Sequence, residues 1–204
     1  TVFADEAGSY TVDVTNTGGT VTSSAAIVNV PTSITDGLVV HLTFDTDLTD
    51  SSGSANVNNG TGFGTTPLVT GAVGNAVSVH TDPDGQNYVS LGAPTDLNFG
   101  TDTDFSVSYW INSPGRSSDP AVISNKDWGS GGNDGWALFV SGGDEARMNI
   151  DTPGAVDRDD YNSGTVIIDG TWHHVVGVFD RTAFTFTMYI DGVEVGGTSI
   201  ADSA

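Results

Sequence analysis

The strongest constraint on this chain is a two-residue rhythm. Phe105, Val107, Tyr109 and Ile111 alternate with Ser106, Ser108, Trp110 and Asn112. Phe184, Phe186, Met188 and Ile190 alternate with Thr185, Thr187 and Tyr189. Side chains of an extended chain point alternately to opposite faces, so each run makes a strand with one apolar and one polar face. Short runs of this kind are separated by Gly, Asn, Asp and Ser, and the chain carries 27 glycines. No stretch keeps apolar residues at helical spacing over three turns. The pattern predicts about ten strands, no helix, and an all-β sandwich.

The first 31 residues read as one β-hairpin. Tyr10, Val12 and Val14 alternate with Thr11, Asp13 and Thr15, and Asn16-Thr17-Gly18-Gly19 forms the turn. A second strand runs from Thr20 to Val30. Residues 32–36 form a polar linker, and residues 37–204 form the main domain. Its expected strands are Leu38–Phe44, Ala76–Val79, Tyr88–Leu91, Phe105–Ile111, Ala121–Ser124, Trp136–Val140, Arg147–Ile150, Thr165–Ile168, Trp172–Phe179 and Phe184–Ile190. Asp191-Gly192 then makes a two-residue turn into Val193-Glu194-Val195.

Charge narrows the partners. The formal net charge is −21, from 26 acidic and 5 basic residues among 204. Such a surface repels nucleic acid and anionic membranes, and it suits solubility in high salt or attraction of divalent cations. There is no cysteine. No run approaches the roughly 18 apolar residues of a membrane span.

Three segments together resemble the laminin-G-like, concanavalin A-like lectin/glucanase superfamily. They are Gly37-Leu38-Val39-Val40-His41-Leu42-Thr43-Phe44-Asp45 with Asp50-Ser51-Ser52-Gly53-Ser54, Asp104 to Ile111, and Asp169-Gly170-Thr171-Trp172-His173-His174 continuing to Tyr189-Ile190-Asp191-Gly192-Val193. The resemblance implies a jelly roll of two antiparallel sheets, each of six or seven strands. It also implies a further strand beyond the last hairpin, returning beside the first. Without that strand an edge would be left open to strand complementation by another copy. Asp5 to Val12 is similar to the approach to strand F of immunoglobulin-like domains, so residues 1–31 would be strands F and G of such a domain. An extracellular or cell-surface location in a secreted bacterial protein follows from these resemblances.

Catalytic patterns are absent. Retaining glycosidases need two carboxylates about 5 Å apart, and no Glu-x-Asp-x-x-Glu run exists. Glu145 and Glu194 are isolated. Asp157-Arg158-Asp159-Asp160 reads as a charged, solvated turn. His173 and His174 fall on opposite faces of one strand, so they cannot share a metal; they read as core or inter-sheet polar residues.

The loop from Asp45 to Asn58 concentrates oxygen ligands. Calcium takes 6–8 such oxygens, and the resemblance implies a structural calcium near here. The expected ligands are Asp45, Asp47, Asp50, Asn56 and Asn58. The competing reading is a loop whose Asx side chains cap their own backbone.

Sugar sites use an exposed aromatic ring flanked by planar polar groups. Trp110 and Trp172 sit at strand positions and read as core. Trp128 lies in the Gly-rich loop Lys126 to Gly135 and is the expected platform, joined by Trp136, Arg147, Arg158 and Tyr161 if the loops converge. A Trp128 folded back over the sandwich edge is the alternative. The expected function is non-catalytic recognition of a glycan or cell-surface ligand. The alternative is a structural repeat of an adhesin, stalk or filament that contacts copies of itself.

Overall fold

A computed structural model describes residues 8–28, 35–79, 87–116, 118–126, 133–151 and 158–200. The chain divides into two compact units, Thr1–Pro94 and Thr95–Ala204. Among the described residues, apart from one 3-10 turn at Thr95–Leu97, the regular structure is all strand. The all-β expectation is met.

In the first unit, β1 (Gly8–Tyr10), β2 (Asp13–Asn16), β3 (Gly19–Thr22) and β4 (Ala26–Val28) form one interrupted hairpin. β2 pairs with β3 and β1 with β4, both antiparallel. The Asn16 side chain accepts the Gly18 N–H at 2.7 Å, closing the expected turn. Across the interruption, Ser23 donates its N–H to the Val12 carbonyl, and Val12 donates to Ser23 Oγ. The apolar face of this hairpin is exposed, Val12 and Val21 included.

The same unit continues with β5 (Thr61–Phe63), β6 (Leu68–Thr70), β7 (Asn75–Val77) and β8 (Tyr88–Ser90). The β6–β7 ladder is nested in sequence within β5–β8. The predicted strand Leu38–Phe44 is reduced to a single bridge, Leu42 to Asp50. The reason is local competition. The His41 N–H goes to the Asp50 side chain and the Val39 carbonyl to the Asn58 amide, so backbone groups that would build a ladder are satisfied by loop side chains.

The second unit holds β9 (Phe105–Ile111), β10 (Ala121–Ser124), β11 (Gly135–Ser141), β12 (Glu145–Asp151), β13 (Asp159–Val166), β14 (His173–Asp180), β15 (Thr185–Ile190) and β16 (Val193–Ser199). Two four-stranded antiparallel sheets result, ordered β10-β11-β12-β13 and β16-β15-β14-β9. Each has four strands among the described residues, fewer than the resemblance implies, because the strands before Pro94 pair only in twos. Of the charged run, Asp159 and Asp160 begin strand β13 where a turn was expected, while the Arg158 and Asp160 side chains stay exposed to solvent.

The core lies between inward-facing residues of these two sheets. Trp136, Leu138 and Val140 of β11 and Ala146, Met148 and Ile150 of β12 join Val175 and Phe179 of β14 and Phe186, Met188 and Ile190 of β15. Phe105 stacks between Phe99 and Phe179, with ring centroids at 4.3 and 4.4 Å. Burying one such ring contributes about 1.5–3 kcal/mol. Asp191 and Gly192 carry φ of 53° and 78°, the left-handed pair that a two-residue turn between twisted strands requires.

Trp110 is a correction. The alternation in β9 sends Phe105, Val107, Tyr109 and Ile111 inward, which leaves Trp110 outward and 49% exposed, against the His174 ring at 4.9 Å.

Candidate polar recognition face

The outer side of the β10–β13 sheet is built by strand alternation. With Trp136, Leu138 and Val140 facing the core, Ala137 and Phe139 face away; with Met148 and Ile150 inward, Arg147, Asn149 and Asp151 face away, and all of these except Arg147 are nonetheless buried. Ladder register then aligns Ser124, Ala137, Asn149 and Asp160 in one row across four strands.

Along that row runs a chain of side-chain hydrogen bonds. Lys126 Nζ donates to Asn149 Oδ1 at 2.5 Å. Asn149 Nδ2 donates to Asp160 Oδ1 at 2.8 Å. Arg158 donates through both Nε and Nη2 to Asp160 Oδ2, each at 2.7 Å. Asn149 is fully buried and Asp151 nearly so. Burial lowers the Lys126 ammonium from its usual value; the charges of Asp151, Asp160 and Asp134 oppose that shift, and Arg158 reinforces it.

Local sequence fixes the seat of Lys126. Asn125 accepts the Trp136 N–H at 2.7 Å, which folds the end of β10 onto the start of β11. Gly135 has φ of 116°, and a Cβ there would fall 2.6 Å from Asn125 Oδ1 and 2.9 Å from Lys126 Cβ. Only glycine fits.

Of the expected sugar-contact residues, Arg147 and Arg158 lie on or beside this face, and Arg147 has its Nε buried with no partner among the described residues. Trp136 and Tyr161 do not join them. Trp136 packs in the core against Phe105 and Phe179. Tyr161 turns inward, its ring near Phe186 and its hydroxyl donating to the Val195 carbonyl at 2.7 Å. One residue of parity separates each from the outer face. Trp128 lies outside the described residues.

Sequence reasoning missed Asn149, Asp151 and Asp160. The signal was present in Arg147-Met148-Asn149-Ile150-Asp151, where polar residues occupy every second position of a strand.

The expected calcium ligands lie in the first unit. Asp50 is the hub: Oδ1 accepts the N–H groups of His41 and Ser52, each at 2.9 Å, and Oδ2 that of Asn58 at 3.0 Å. Desolvation raises the Asp50 carboxyl, but these three donors outweigh it and hold the group down to about 2. Asp47 Oδ1 accepts both the N–H and the hydroxyl of Thr49. Asp45 Oδ1 accepts the Asn75 N–H at 2.9 Å. Asn56 donates its N–H to Ser54 Oγ, and the Asn58 amide reaches the Val39 carbonyl. Among the described residues, no three His, Asp or Glu side chains gather to hold a metal. As folded, these five residues cap backbone and side-chain groups of their own loop and its neighbours.

Comparison with known proteins places this architecture. Residues 83–204 match the family model of the concanavalin A-like lectin/glucanases superfamily, a name that covers lectins and glucanases alike. Domain 4 of AbnA, a GH43 extracellular arabinanase from Geobacillus stearothermophilus, solved in complex with arabinotriose, shares 24% identity over 78% of this chain and 74% of that one, with a TM-score of 0.58. An S-layer domain-containing protein from Clostridium thermocellum shares 22% identity over 79% of this chain and 72% of that one, with a TM-score of 0.44. No curated protein matches. With a matching model over more than half its length and two facing antiparallel sheets, the chain belongs to the concanavalin A-like lectin/glucanases superfamily.

Proposed function

We propose that the chain is a non-catalytic glycan-recognition module of an extracellular protein, with the exposed Arg158–Asp160 pair at the β13 edge of the β10–β13 sheet as part of its binding surface. The observation that carries the reading is the hydrogen-bonded row Lys126, Asn149, Asp160 and Arg158, in which buried Asn149 braces the exposed Asp160–Arg158 pair. Preorganised polar groups on strands can orient a sugar without ordering costs at binding. Both Asp160 oxygens are engaged, by Asn149 and Arg158, which suits positioning better than proton transfer or nucleophilic attack. The similarity to a domain solved with arabinotriose supports a sugar ligand, and its parent's extracellular setting supports the location. No helix among the described residues is long and apolar enough to cross a membrane. Trp128, two positions after Lys126 in sequence, remains the proposed stacking platform.

A glycan array probed with the full chain tests the reading. Binding to at least one glycan is expected, weakened about tenfold or more in Arg158→Ala and in Trp128→Ala, the scale of losing a charge-assisted hydrogen bond or a stacked ring. No binding, or binding indifferent to both variants, overturns it.

A further inference from the structure

The second sheet, β16-β15-β14-β9, has an outer face of different character. With Phe105, Val107, Tyr109 and Ile111 inward, Ser106, Ser108 and Trp110 of β9 face out and are exposed. Ladder register sets them beside Val178, Val176 and His174 of β14, and Val176 and Val178 beside Tyr189 and Thr187 of β15. Glu194 of β16 continues the Tyr189 row and is exposed. Trp110 leans on the His174 ring, whose Nε2 lies 2.7 Å from Ser108 Oγ, so a half-exposed indole is braced on rigid strands. An exposed Trp held this way is the usual anchor of a protein interface. Half-buried Val176 and Val178 floor the middle of the face. At its far end Asp104, Ser106, Val178 and Asp180 line a shallow cleft.

No Lys or Arg stands on this face. All 5 basic residues of the chain are among those described, and the rest of the chain adds only carboxylates and His80. Lys126, Arg147 and Arg158 belong to the other sheet or flank it. Arg116 is held by Asp119 and Asp144. Arg181 follows Asp180 but is buried, donating to the carbonyls of Gly100 and Thr101. Carboxylates do reach the face and its rim, at Asp104, Asp180, Asp191 and Glu194. Asp191 meets His173. Asp104 and Asp180 accept the N–H groups of Thr182 and Ala183, and neither they nor Glu194 form an ion pair among the described residues.

This pattern asks for cations. A guanidinium or ammonium is attracted to the face of a Trp ring, and a second cation would answer the two carboxylates of the cleft. From His174, opposite Trp110, to Asp180 the strand advances about 20 Å. The valines between offer no side-chain hydrogen bond to a hydroxyl and suit aliphatic side chains. A second copy of the chain would bring its own formal charge of −21.

We infer that this face docks an extended basic segment of another protein, with one arginine or lysine stacked on Trp110, a second in the Asp104–Asp180 cleft, and aliphatic side chains over Val176 and Val178. The surface is separate from the Arg158–Asp160 pair and does not depend on the glycan reading.

Fluorescence anisotropy of a labelled peptide with the full chain tests it. The peptide spans about 20 Å, with arginine at each end and alternating valine and serine between; its twin carries glutamine for arginine. Binding of the arginine peptide is expected, about tenfold or more tighter than the twin and weaker at high salt. Trp110→Ala should weaken it about fivefold, the scale of a cation–π contact, and circular dichroism checks that the variant folds. Asp180→Asn should weaken it about three- to fivefold, while Asp13→Asn on the hairpin, the same loss of charge elsewhere, stays within about twofold. Equal effects of Asp180→Asn and Asp13→Asn, with Trp110→Ala harmless, mean diffuse attraction to an acidic chain and overturn the assignment to this face. No binding of the arginine peptide overturns the inference. So does Trp110-dependent binding of a chitosan oligosaccharide, or Trp110-dependent dimerisation in sedimentation, without peptide binding.

Discussion

His173 Nδ1 lies 2.8 Å from Asp191 Oδ2, while the same ring's Nε2 lies 3.2 Å from Asp169 Oδ1. An imidazole facing a carboxylate at each nitrogen is best served by two N–H donors, the protonated form. Asp191 also takes the His174 N–H on its other oxygen at 2.8 Å. The cluster thus pins the loop entering β14 to the turn between β15 and β16.

The first prediction is a pH window. The Asp191 hydrogen bond raises the His173 ring above its usual 6.5, so its contribution is complete below about 6.5 and is lost as pH climbs through the raised value. Asp191 is lowered first by the His174 N–H and then by His173, so its contribution holds above about 4 and is lost as pH falls through the lowered value. The clamp is therefore strongest between about pH 4 and 6.5. His173→Gln should reduce Tm by on the order of a few degrees at pH 5.5 and by less at pH 8.5. Equal losses at both would sink the idea, and NMR titration of the ring should give a midpoint above 6.5.

The second concerns the Asp50 loop. Asp50→Ala strands the N–H groups of His41, Ser52 and Asn58 and should cost about 1–3 kcal/mol, less any part that water recovers. Asp50→Asn should lose a smaller amount, since its one carbonyl oxygen still accepts. Because backbone donors occupy the carboxylate, Tm should be unmoved by calcium or by chelator. A calcium-dependent rise of several degrees would show that these carboxylates turn outward to hold the ion.

The third separates packing from polarity in the core. The Tyr109 hydroxyl is buried without a hydrogen-bond partner among the described residues, and burial pushes its ionisation far up. Tyr109→Phe removes an unsatisfied group and should leave stability unchanged or raise it by up to about 1 kcal/mol. Phe179→Ala, at the centre of the ring stack, should cost about 3–5 kcal/mol. Urea unfolding with equal m-values measures both, and a loss above 1 kcal/mol in Tyr109→Phe would reveal a hidden partner.

Alternation carried most of the second unit, because one buried face writes itself into every other residue. Phe105–Ile111 was legible for that reason, and the Asp191-Gly192 turn for another, the tolerance of Asp-Gly for positive φ. The same alternation, followed strictly, would have placed Trp110 outside, whereas Trp136 to Val140 is apolar throughout and carries no alternation that could place Trp136. Leu38–Phe44 failed differently. Its pattern suits a strand, but the partners of its backbone come from Asp50 and Asn58, and side-chain capping leaves no period in the sequence. The polar row was half legible. Arg147 and Arg158 stood out as rare cations, whereas Asn149 needed the ladder register to meet Asp160 across two strands.

The last prediction ranks two glycines that the fold uses at close quarters. A Cβ on Gly177 of β14 would lie 3.1 Å from a Phe186 ring atom and 3.2 Å from Leu138 Cδ2. Those are side-chain atoms that can yield by a few tenths of an ångström, so Gly177→Ala should cost about 1–2 kcal/mol through overpacking. A Cβ on Gly197 of β16 would instead collide with the Phe186 carbonyl oxygen and lie 2.9 Å from its carbon. Backbone in a ladder cannot step aside without breaking the β15–β16 pairing, which Gly197 joins opposite Thr187. Gly197→Ala should therefore be the more damaging change, and its loss should appear first as accelerated amide exchange in β16, with β9 and β14 protected. If Gly177→Ala proves the worse of the two, side chains between the sheets are less free to move than backbone at the edge, and the reading of β16 as a tightly fitted strand fails.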